Sequence, residues 1–162
     1  MTSIDTLDPD RLAPDAANPA VRSVMRQEVV FCLPSTSIDV IAKLMADNDL
    51  TELPVLIDRR PVGYVVARDI VERLVDGDVA VAGSDLVRPS VTSVTAADIL
   101  HSPPLLVDEN QRLLDVLASM RHRERQSALV MHDDERPVGM LTAREVAAHL
   151  AGQLAGGTLA NA

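Results

Sequence analysis

RPVGYVVARDIVERL at residues 60–74 and RPVGMLTAREVAAHL at residues 136–150 are two copies of one stretch, and this repeat decides the fold. Both copies begin with Arg-Pro-Val-Gly, contain Ala-Arg at the same place and end with Leu. In each copy a Pro and a Gly mark a turn, an apolar run suits a buried strand, and helix-forming residues follow. Because a solenoid needs three or more units to bury a core, two copies predict one module whose similar halves are related by a pseudo-twofold axis.

The elements around each copy are predicted to follow the order strand, helix, strand, strand, helix. In the first half, residues 29–33 form an apolar run, and residues 38–45 carry apolar side chains at helical spacing. A second apolar run at residues 53–57 leads into the repeated stretch. The matching segments of the second half are residues 104–107, 113–120 and 128–131. We therefore expect an α/β fold made of two β-α-β-β-α halves.

These patterns divide the chain into five segments. Acidic residues, Pro and Ala without a sustained period predict a disordered start, and a Gly-rich run of small residues predicts a flexible end. A connection rich in Val, Ala, Asp and Ser joins the halves, with one short strand expected at 79–82. The predicted segments are 1–20 for the disordered start, 21–78 for the first repeat, 79–94 for the linker, 95–152 for the second repeat and 153–162 for the flexible tail.

Composition and charge exclude nucleic acid as a partner. Hydrophobic residues make up 47% of the chain, but Phe31 and Tyr64 are its only Phe, Tyr or Trp residues, so the core must be aliphatic. A net charge of −9 does not suit phosphate backbones, which attract basic patches. The shortage of aromatic residues also removes the stacking platforms of single-strand binders.

The sequence also indicates a protein that does not insert into membranes. Its longest apolar run is residues 29–33, far below the ~20 residues that span a bilayer. Residues 1–10 are polar and acidic, unlike the apolar core of a secretory signal. Lone Cys32 cannot form an internal disulfide and suits a reducing compartment. We therefore expect a cytoplasmic protein without membrane insertion.

Each half resembles a CBS domain, the cystathionine-β-synthase-type repeat that occurs in tandem pairs. In the first half the likeness is carried by Ser23–Met25, Met45, Leu53–Leu56 and Pro61–Ile70. In the second half it is carried by Ala97–Leu100, Met120, Ala128–Val130 and Pro137–Val146. The stretch PPLLVDENQRLLDVLASMRHRERQSALVM, residues 103–131, is also similar to the CBS pair of magnesium/cobalt-efflux and haemolysin-C-like transporters. The resemblance covers residues 21–152 and implies a tandem CBS-domain pair.

The resemblance implies two clefts between the halves that bind adenosine-containing ligands, with AMP, ADP, ATP and S-adenosylmethionine as candidates. In the family a Gly-strand-[Thr/Ser]-x-x-Asp motif contacts the sugar and phosphate, and apolar side chains of the other repeat hold the base. This chemistry is sound, because one carboxylate accepts both ribose hydroxyls and a helix start with a hydroxyl suits a phosphate. The implied function is a regulatory module that senses such a ligand and signals through a conformational change.

Both copies depart from the family motif, each at a different position. Copy one keeps Asp69, but Val66 stands where the family has a hydroxyl residue. Copy two keeps Thr142, but Glu145 stands where the family has Asp. Thr142 and Glu145 also fit a capping box, which a helix favours with no ligand at all. The two clefts are therefore expected to differ.

The resemblance assigns residues of both halves to each cleft. Cleft one would combine Asp69 and Val66 with Leu105, Leu106, Gln126, Ser127 and Ala128. Cleft two would combine Thr142 and Glu145 with Val29, Val30, Thr51, Glu52 and Leu53. Arg68 and Arg144 stand beside the two carboxylates and either reach phosphates or remain solvated.

These assignments predict weak binding in which Asp69 is the more sensitive position. Glu145 is one methylene longer than Asp, so it would shift the sugar outward or fold back onto its own cap. Glu52 would add a negative charge near any phosphate in cleft two. Adenosine-type ligands are therefore expected to bind better than bare phosphates.

Three other groups of side chains have a functional and a structural interpretation. Residues 121–125, RHRER, are the densest basic cluster and either face a triphosphate or end a helix in solvent. Residues 132–135, HDDE, carry metal-ligand chemistry but sit in one tight turn, so no metal site is expected. Cys32 lies in an apolar run, which favours a buried small hydrophobe over a reactive thiol.

Three classes of function remain open on the sequence. The first is the ligand-sensing module, and the second is a structural dimerisation module with vestigial clefts. The third is an enzyme, which we do not expect because no catalytic motif such as GxSxG or a Walker A loop is present. A homodimer is expected in addition, because apolar helix faces near Ile38, Ile41, Leu113 and Leu117 would exceed what one small sheet covers. The regulated partner protein is unknown.

Overall fold

The computed structural model describes residues 18–76, 94–134 and 136–159. The first half contains a 3-10 helix at Val21–Ser23, α1 at Ile38–Asn48, β1 at Glu52–Ile57, β2 at Arg60–Val66 and α2 at Ala67–Val75. The second half contains a 3-10 helix at Ala96–Ile99, β3 at Leu106–Asp108, α3 at Leu113–His122, β4 at Ser127–His132, β5 at Arg136–Thr142 and α4 at Ala143–Leu159. The predicted short strand at 79–82 and most of the predicted linker lie outside the described residues.

The second half has the predicted β-α-β-β-α order, whereas the first strand of the first half is reduced to one bridge. In the second half β3 runs parallel to β4, and β4 pairs antiparallel with β5. In the first half β1 and β2 pair antiparallel, and Cys32 makes a single parallel bridge to Val55. The α/β fold of two similar halves is confirmed, but the strand predicted at 29–33 is wrong.

A proline explains the missing strand. Leu129 donates its backbone N–H to the Leu105 carbonyl at 2.9 Å, which extends the parallel pairing in the second half. The equivalent positions of the repeat in the first half are Pro54 and Val30. Because Pro54 has no N–H to donate, the ladder stops at Cys32.

The segment that precedes each half pairs with a strand of the other half. His101, ahead of β3, forms a two-bond antiparallel bridge to Tyr64 of β2, with N···O distances of 2.8 and 2.9 Å. Arg26, ahead of α1, forms the same bridge to Met140 of β5, with both distances at 2.9 Å. The two bridges occupy equivalent positions in the repeat, which is what a pseudo-twofold axis requires.

Gly63 and Gly139, the glycines of the repeated stretch, lie where the backbones of His101 and Arg26 pass closest to the strands. A Cβ on Gly63 would lie 2.4 Å from the His101 carbonyl oxygen, and one on Gly139 would lie 2.5 Å from the Arg26 carbonyl oxygen. Both distances are shorter than any real Cβ contact. The glycines are therefore required by the close approach of two backbones, independently of any ligand.

Each half packs its own aliphatic core, and the two cores exchange side chains. The first core combines Ile38, Ile41 and Met45 of α1 with Leu53 and Val65 of the hairpin. Side chains of the second half also belong to it, namely Leu129, Met131 and Met140. The second core is built from Val107, Leu113, Val116, Val130 and Leu141, and Val21 of the first half packs into it.

Several boundaries differ from those predicted. The β4–β5 connection is one residue longer than the β1–β2 connection. Helix α4 continues to Leu159, so residues 153–159 of the segment predicted as a flexible tail are helical. Their Ala and Leu content favours the helix despite its glycines, each of which costs about 1 kcal/mol against Ala. At the other end Asn18 and Ala20 already belong to the fold, because the Asn18 side-chain oxygen accepts from Leu114 N and Ala20 bridges Arg112.

Candidate ligand clefts

The carboxylate of Asp69 lies at the start of α2, at the mouth of cleft one. Its Oδ2 is hydrogen-bonded to Nε2 of His101 at 2.5 Å. The Asp69 side chain is 15% exposed and that of His101 is 43% exposed. The Tyr64–His101 backbone bridge brings the imidazole there, so the contact depends on the crossing of the two halves. The carboxylate that the family motif uses for the sugar is thus already occupied by a side chain of the other half.

Tyr64 and Arg125 continue inward from His101. The Tyr64 and His101 rings are stacked, with centroids 5.3 Å apart and planes 25° from parallel. On the Tyr64 ring lies the guanidinium of Arg125, 3.2 Å from the centroid. A cation on an aromatic face is attracted by the ring quadrupole. These side chains fill cleft one.

The space left in cleft one is small. Pro54, Tyr64, Leu105, Arg125 and Ser127 line a cavity of about 10 Å³, with Pro104, Leu129 and Met140 completing its wall. That volume holds about one water molecule, whereas a small-molecule pocket usually has about 300–1,000 Å³. A ligand can therefore enter only if side chains of this cleft move.

Behind cleft one, Glu52 holds the two halves together through a buried ion pair. Its carboxylate lies 3.1 Å from Nη2 of Arg125, and the two side chains are only 3% and 7% exposed. It also accepts hydrogen bonds from the backbone N–H groups of Gln126 and Ser127, at 3.0 and 3.1 Å, and from the Ser127 hydroxyl at 2.9 Å. Ser127 occupies the position of the repeat that is equivalent to Glu52, so the contact joins the same point of both halves.

This network corrects two expectations. Glu52 does not present a free negative charge to cleft two, because its charge is matched by Arg125 inside the protein. Arg125 is not a solvated member of the basic cluster, because its side chain is buried between Glu52 and Tyr64. A buried carboxylate must be paired and hydrogen-bonded, and Arg125 is the cation that reaches it.

Cleft two has the same plan, but its carboxylate is held by more partners. Glu145 Oε2 accepts from Thr142 N at 2.9 Å and from the Thr142 hydroxyl at 2.5 Å, and Thr142 Oγ1 accepts from Arg144 N at 3.2 Å. The other oxygen of Glu145 accepts from Nε of Arg26 at 3.2 Å. Arg26 in turn donates twice to the Asn48 carbonyl, at 3.1 and 3.2 Å. Glu145 is thus folded back onto its cap, one of the two outcomes expected from its extra methylene.

The two clefts differ in how firmly their carboxylates are held. Asp69 is hydrogen-bonded by one half-exposed imidazole. Glu145 is held by two groups of Thr142 and by Arg26, and the Arg26 and Glu145 side chains are both mostly buried. The expected difference between the clefts therefore exists in their hydrogen bonding.

The remaining predicted site residues fall into a buried and an exposed group. Val30, Leu53, Leu105 and Ala128 are core residues, and Ser127 is bonded to Glu52. Val29 and Val66 are half-buried, whereas Leu106 is 44% exposed. Arg68 is exposed and lies 3.7 Å from Glu72, and exposed Arg144 lies 3.2 Å from Asp49. The structure brings Leu105 and Ser127 to one cavity wall and leaves both arginines at the surface.

Sequence reasoning missed the side chains that occupy the clefts, namely His101, Arg26, Tyr64 and Arg125. His101 and Arg26 hold equivalent positions of the repeat, ahead of the first strand position of each half. Aligning the lead-in segments of the two halves would have shown a side chain able to carry positive charge facing each carboxylate. Tyr64 and Arg125 have no such counterpart, since Met140 and Leu50 hold the equivalent positions.

Cys32 is buried, and the structure describes residues 132–134 of the acidic turn. Burial raises the pKa of the Cys32 thiol to about 11, which leaves almost no reactive thiolate at neutral pH. Between residues 18 and 159, with the gaps given above, no group of three or more His, Cys, Asp or Glu is placed to hold a metal ion. In the same part of the chain no helix has both the length and the apolar character needed to cross a bilayer.

Comparison with known proteins finds a family and a fold. The family model described as "CBS domain" matches residues 21–76 and 96–152. An uncharacterised 33.4 kDa protein in the ribosomal RNA operon of Thermofilum pendens is 25% identical over 130 residues. The match covers 80% of this chain but 43% of that protein, so the chain spans less than half the length of this relative.

Solved structures share the fold at low sequence identity. The CBS domain of the bacterial CNNM/CorC family Mg²⁺ transporter, in complex with ATP, has a TM-score of 0.63 and 23% identity. The alignment covers 82% of this chain and 87% of that one. The CBS domain pair of protein MJ0100, in complex with 5′-methylthioadenosine and S-adenosyl-L-methionine, has a TM-score of 0.67 and 18% identity, and the alignment covers 84% of this chain and 98% of that one.

Proposed function

Because the chain belongs to the CBS-domain family, we propose that it is a regulatory module that binds an adenosine-containing ligand in cleft one. Asp69 accepts hydrogen bonds from the hydroxyls of the sugar, and side chains around Leu105 and Tyr64 pack against the base. The observation that carries this proposal is the state of the two carboxylates. Asp69 can exchange its hydrogen-bond partner for a ligand, because that partner is one half-exposed imidazole. Glu145 is instead hydrogen-bonded to Thr142 at the start of its own helix.

The ligands of structurally similar proteins support the choice of ligand class. The similar CBS modules named above were solved with ATP, or with 5′-methylthioadenosine and S-adenosyl-L-methionine. All three molecules share adenine and a ribose diol and differ in what the 5′ position carries. In this chain Arg125 is bound to Glu52, and Arg68 is paired with Glu72 at the surface, so neither arginine is set aside for a phosphate. We therefore expect adenosine-type ligands to bind better than nucleotides with several phosphates.

Signalling follows from the closed state of the cleft. A cavity of about 10 Å³ cannot hold adenosine, so binding must displace side chains, namely those of His101 and Tyr64. Tyr64 lies against Arg125, which is bonded to Glu52 of the other half, so a shift of Tyr64 changes a contact between the halves while the ion pair stays intact. A conformational change coupled to binding is what a regulatory module needs, and a catalytic role is not part of the proposal.

The second candidate function is a structural module with vestigial clefts. It is favoured by the same small cavity and by the capping box of Thr142 and Glu145, which satisfies the sugar-binding position without a ligand. On this hypothesis the protein would associate with a partner through its surface and bind no nucleoside.

Calorimetry separates the two candidates. Wild type, Asp69→Ala and Thr142→Ala are titrated with AMP, ATP, S-adenosylmethionine and 5′-methylthioadenosine. We expect Asp69→Ala to weaken binding about ten- to a hundredfold, because losing a hydrogen bond to a charged group typically costs ~1.5–3 kcal/mol. Thr142→Ala should leave the affinity unchanged. If Thr142→Ala abolishes binding and Asp69→Ala does not, cleft two is the site; if no ligand binds wild type at about 1 mM, the vestigial hypothesis replaces this one.

The surface supports the further proposal of a homodimer, although on different residues from those predicted. Ile38, Ile41 and Leu113 are buried in the cores, so the apolar face expected around them is wrong. A groove of about 390 Å³ between α3 and α4 is lined mainly by apolar side chains such as Leu117 and Leu150, together with Arg121, Arg125 and Gln126. Exposed apolar patches normally mark an interface, and twofold dimers are the commonest assembly. In the described part of the chain, the large apolar side chains exposed on helices are Val40, Val71, Val75, Leu114, Leu150 and Leu154.

The dimer is tested by charge substitution on α4. Wild type should scatter light as a dimer at roughly tens of micromolar. The Leu150→Glu, Leu154→Glu double variant should be monomeric, because two carboxylates in an apolar interface are costly to desolvate. Ile57→Glu is the matched control, since Ile57 is 47% exposed at the β1–β2 turn, away from the helices. A wild-type monomer, or a control that dissociates equally, contradicts the proposal.

A further inference from the structure

We propose that His101 is a latch on cleft one, which lowers the affinity of the cleft by competing with the ligand for Asp69. This inference rests on the proposed function and adds a residue that the family motif does not contain. The imidazole holds the carboxylate in the free protein, and the hydroxyls of a ligand reach Asp69 only after the ring has swung away. Affinity is therefore set by the strength of an internal contact as well as by contacts to the ligand.

The latch is held in place by the fold of both halves. The backbone of His101 is fixed to Tyr64 of the other half by two hydrogen bonds, at 2.8 and 2.9 Å. Its ring stacks on the Tyr64 ring, and its Nε2 lies 2.5 Å from the Asp69 carboxylate. A fixed backbone with a ring bound at two places gives one defined closed position.

The ring is nevertheless free to leave. The His101 side chain is 43% exposed, so part of the ring already lies in solvent. The next residue of the chain, Ser102, is exposed. The backbone bridge does not involve the ring, so the side chain can move while the two halves stay joined.

In cleft two the equivalent contact holds the carboxylate too firmly to act as a latch. Arg26 takes the place of His101 against Glu145, but its guanidinium also donates twice to the Asn48 carbonyl. Its side chain is 17% exposed and that of Glu145 is 11% exposed. Releasing Glu145 would break its bond from Arg26 and both of its bonds from Thr142. Of these two equivalent residues, Arg26 therefore holds its carboxylate permanently, whereas His101 can release its carboxylate.

Removing the latch should raise affinity. When a binding-competent state is only partly populated, the apparent dissociation constant is the intrinsic constant divided by its populated fraction. A charge-assisted hydrogen bond at a partly exposed site is strong enough to keep the cleft closed in about nine molecules of ten. His101→Ala should then bind roughly tenfold tighter than wild type, a gain that a purely structural loss would not produce.

The experiment is calorimetry with adenosine on the full chain. The variants are wild type, His101→Ala, Asp69→Ala, His101→Ala combined with Asp69→Ala, and His122→Ala as matched control. His122 is an exposed histidine at the end of α3. We expect His101→Ala to bind adenosine roughly tenfold tighter than wild type, the double variant to bind no tighter than Asp69→Ala, and His122→Ala to keep the wild-type affinity. His101→Ala should not raise the affinity for 2′,3′-dideoxyadenosine, which lacks the hydroxyls that would donate hydrogen bonds to Asp69.

Each other result overturns the latch. Weaker or unchanged binding of adenosine by His101→Ala means that the imidazole contacts the ligand or is neutral, and the proposed function stands without a latch. A gain that survives in the double variant means that His101 acts on something other than Asp69. If adenosine binds no variant at about 10 mM, the latch falls, and the four-ligand titration decides whether the proposed function falls with it.

Discussion

Glu52→Ala should destabilise the protein by about 3–5 kcal/mol, the largest effect of any single substitution proposed for this chain. The substitution leaves the guanidinium of Arg125 inside the protein without a counter-charge, where only 7% of its side chain is exposed. It also removes the acceptor of the Gln126 and Ser127 N–H groups and of the Ser127 hydroxyl. Urea unfolding followed by circular dichroism measures the loss.

Two further variants distinguish this buried pair from salt bridges in general. Asp47→Ala removes the partner of Lys43, 2.8 Å away, where the side chains are 58% and 75% exposed, so we expect no measurable loss of stability. Glu52→Leu combined with Arg125→Met replaces both charges by apolar groups of similar volume. That double variant should recover most of the lost stability, because a buried pair contributes little beyond an apolar replacement. If the double variant is as unstable as Glu52→Ala, charge is not the cause.

Gly139→Ala should cost roughly 3 kcal/mol. The added methyl would lie 2.5 Å from the Arg26 carbonyl oxygen and 2.5 Å from Sδ of Met25. The sulfur can move, but the carbonyl belongs to the backbone that is bridged to Met140 by two hydrogen bonds of 2.9 Å. Overpacking costs typically about 1–3 kcal/mol, and each hydrogen bond that is strained or lost adds about 1 kcal/mol.

Gly152→Ala is the matched control for the glycine prediction. Gly152 lies in α4, and a Cβ there would meet nothing within 4 Å. Because Ala is the better helix former, this variant should gain about 0.5–1 kcal/mol. Thermal unfolding of both variants gives the comparison. Equal stability of Gly139→Ala and wild type would mean that the two halves do not cross as closely as the structure has it.

The fold could be predicted because its signal is local and written twice. Each copy of the stretch beginning at Arg60 or Arg136 contains the turn, strand and helix start in order, so the pattern needs no long-range information. The missing first strand could not be predicted in the same way. Residues 29–33 are apolar enough for a strand, but the strand opposite them contains Pro54, next to the bridged Val55, which only the register reveals.

The candidate site was predictable only in part, because half of it comes from non-local contacts. Thr142 and Glu145 stand in a motif at the start of a helix, and the capping of Glu145 follows from its spacing alone. His101 and Arg26 reach the two carboxylates only because each half donates its lead-in segment to the other. Arg125 follows a helix end and is typical of a solvated position, so nothing local indicates that it meets a buried carboxylate.

The central claim, that a ligand enters cleft one and not cleft two, is tested most directly by amide NMR spectra recorded during a titration with 5′-methylthioadenosine. The account predicts that shift changes concentrate at Tyr64, Asp69 and His101, while amides at Thr142 and Glu145 stay nearly constant. Changes centred on Thr142 and Glu145, or of equal size in both clefts, would contradict it.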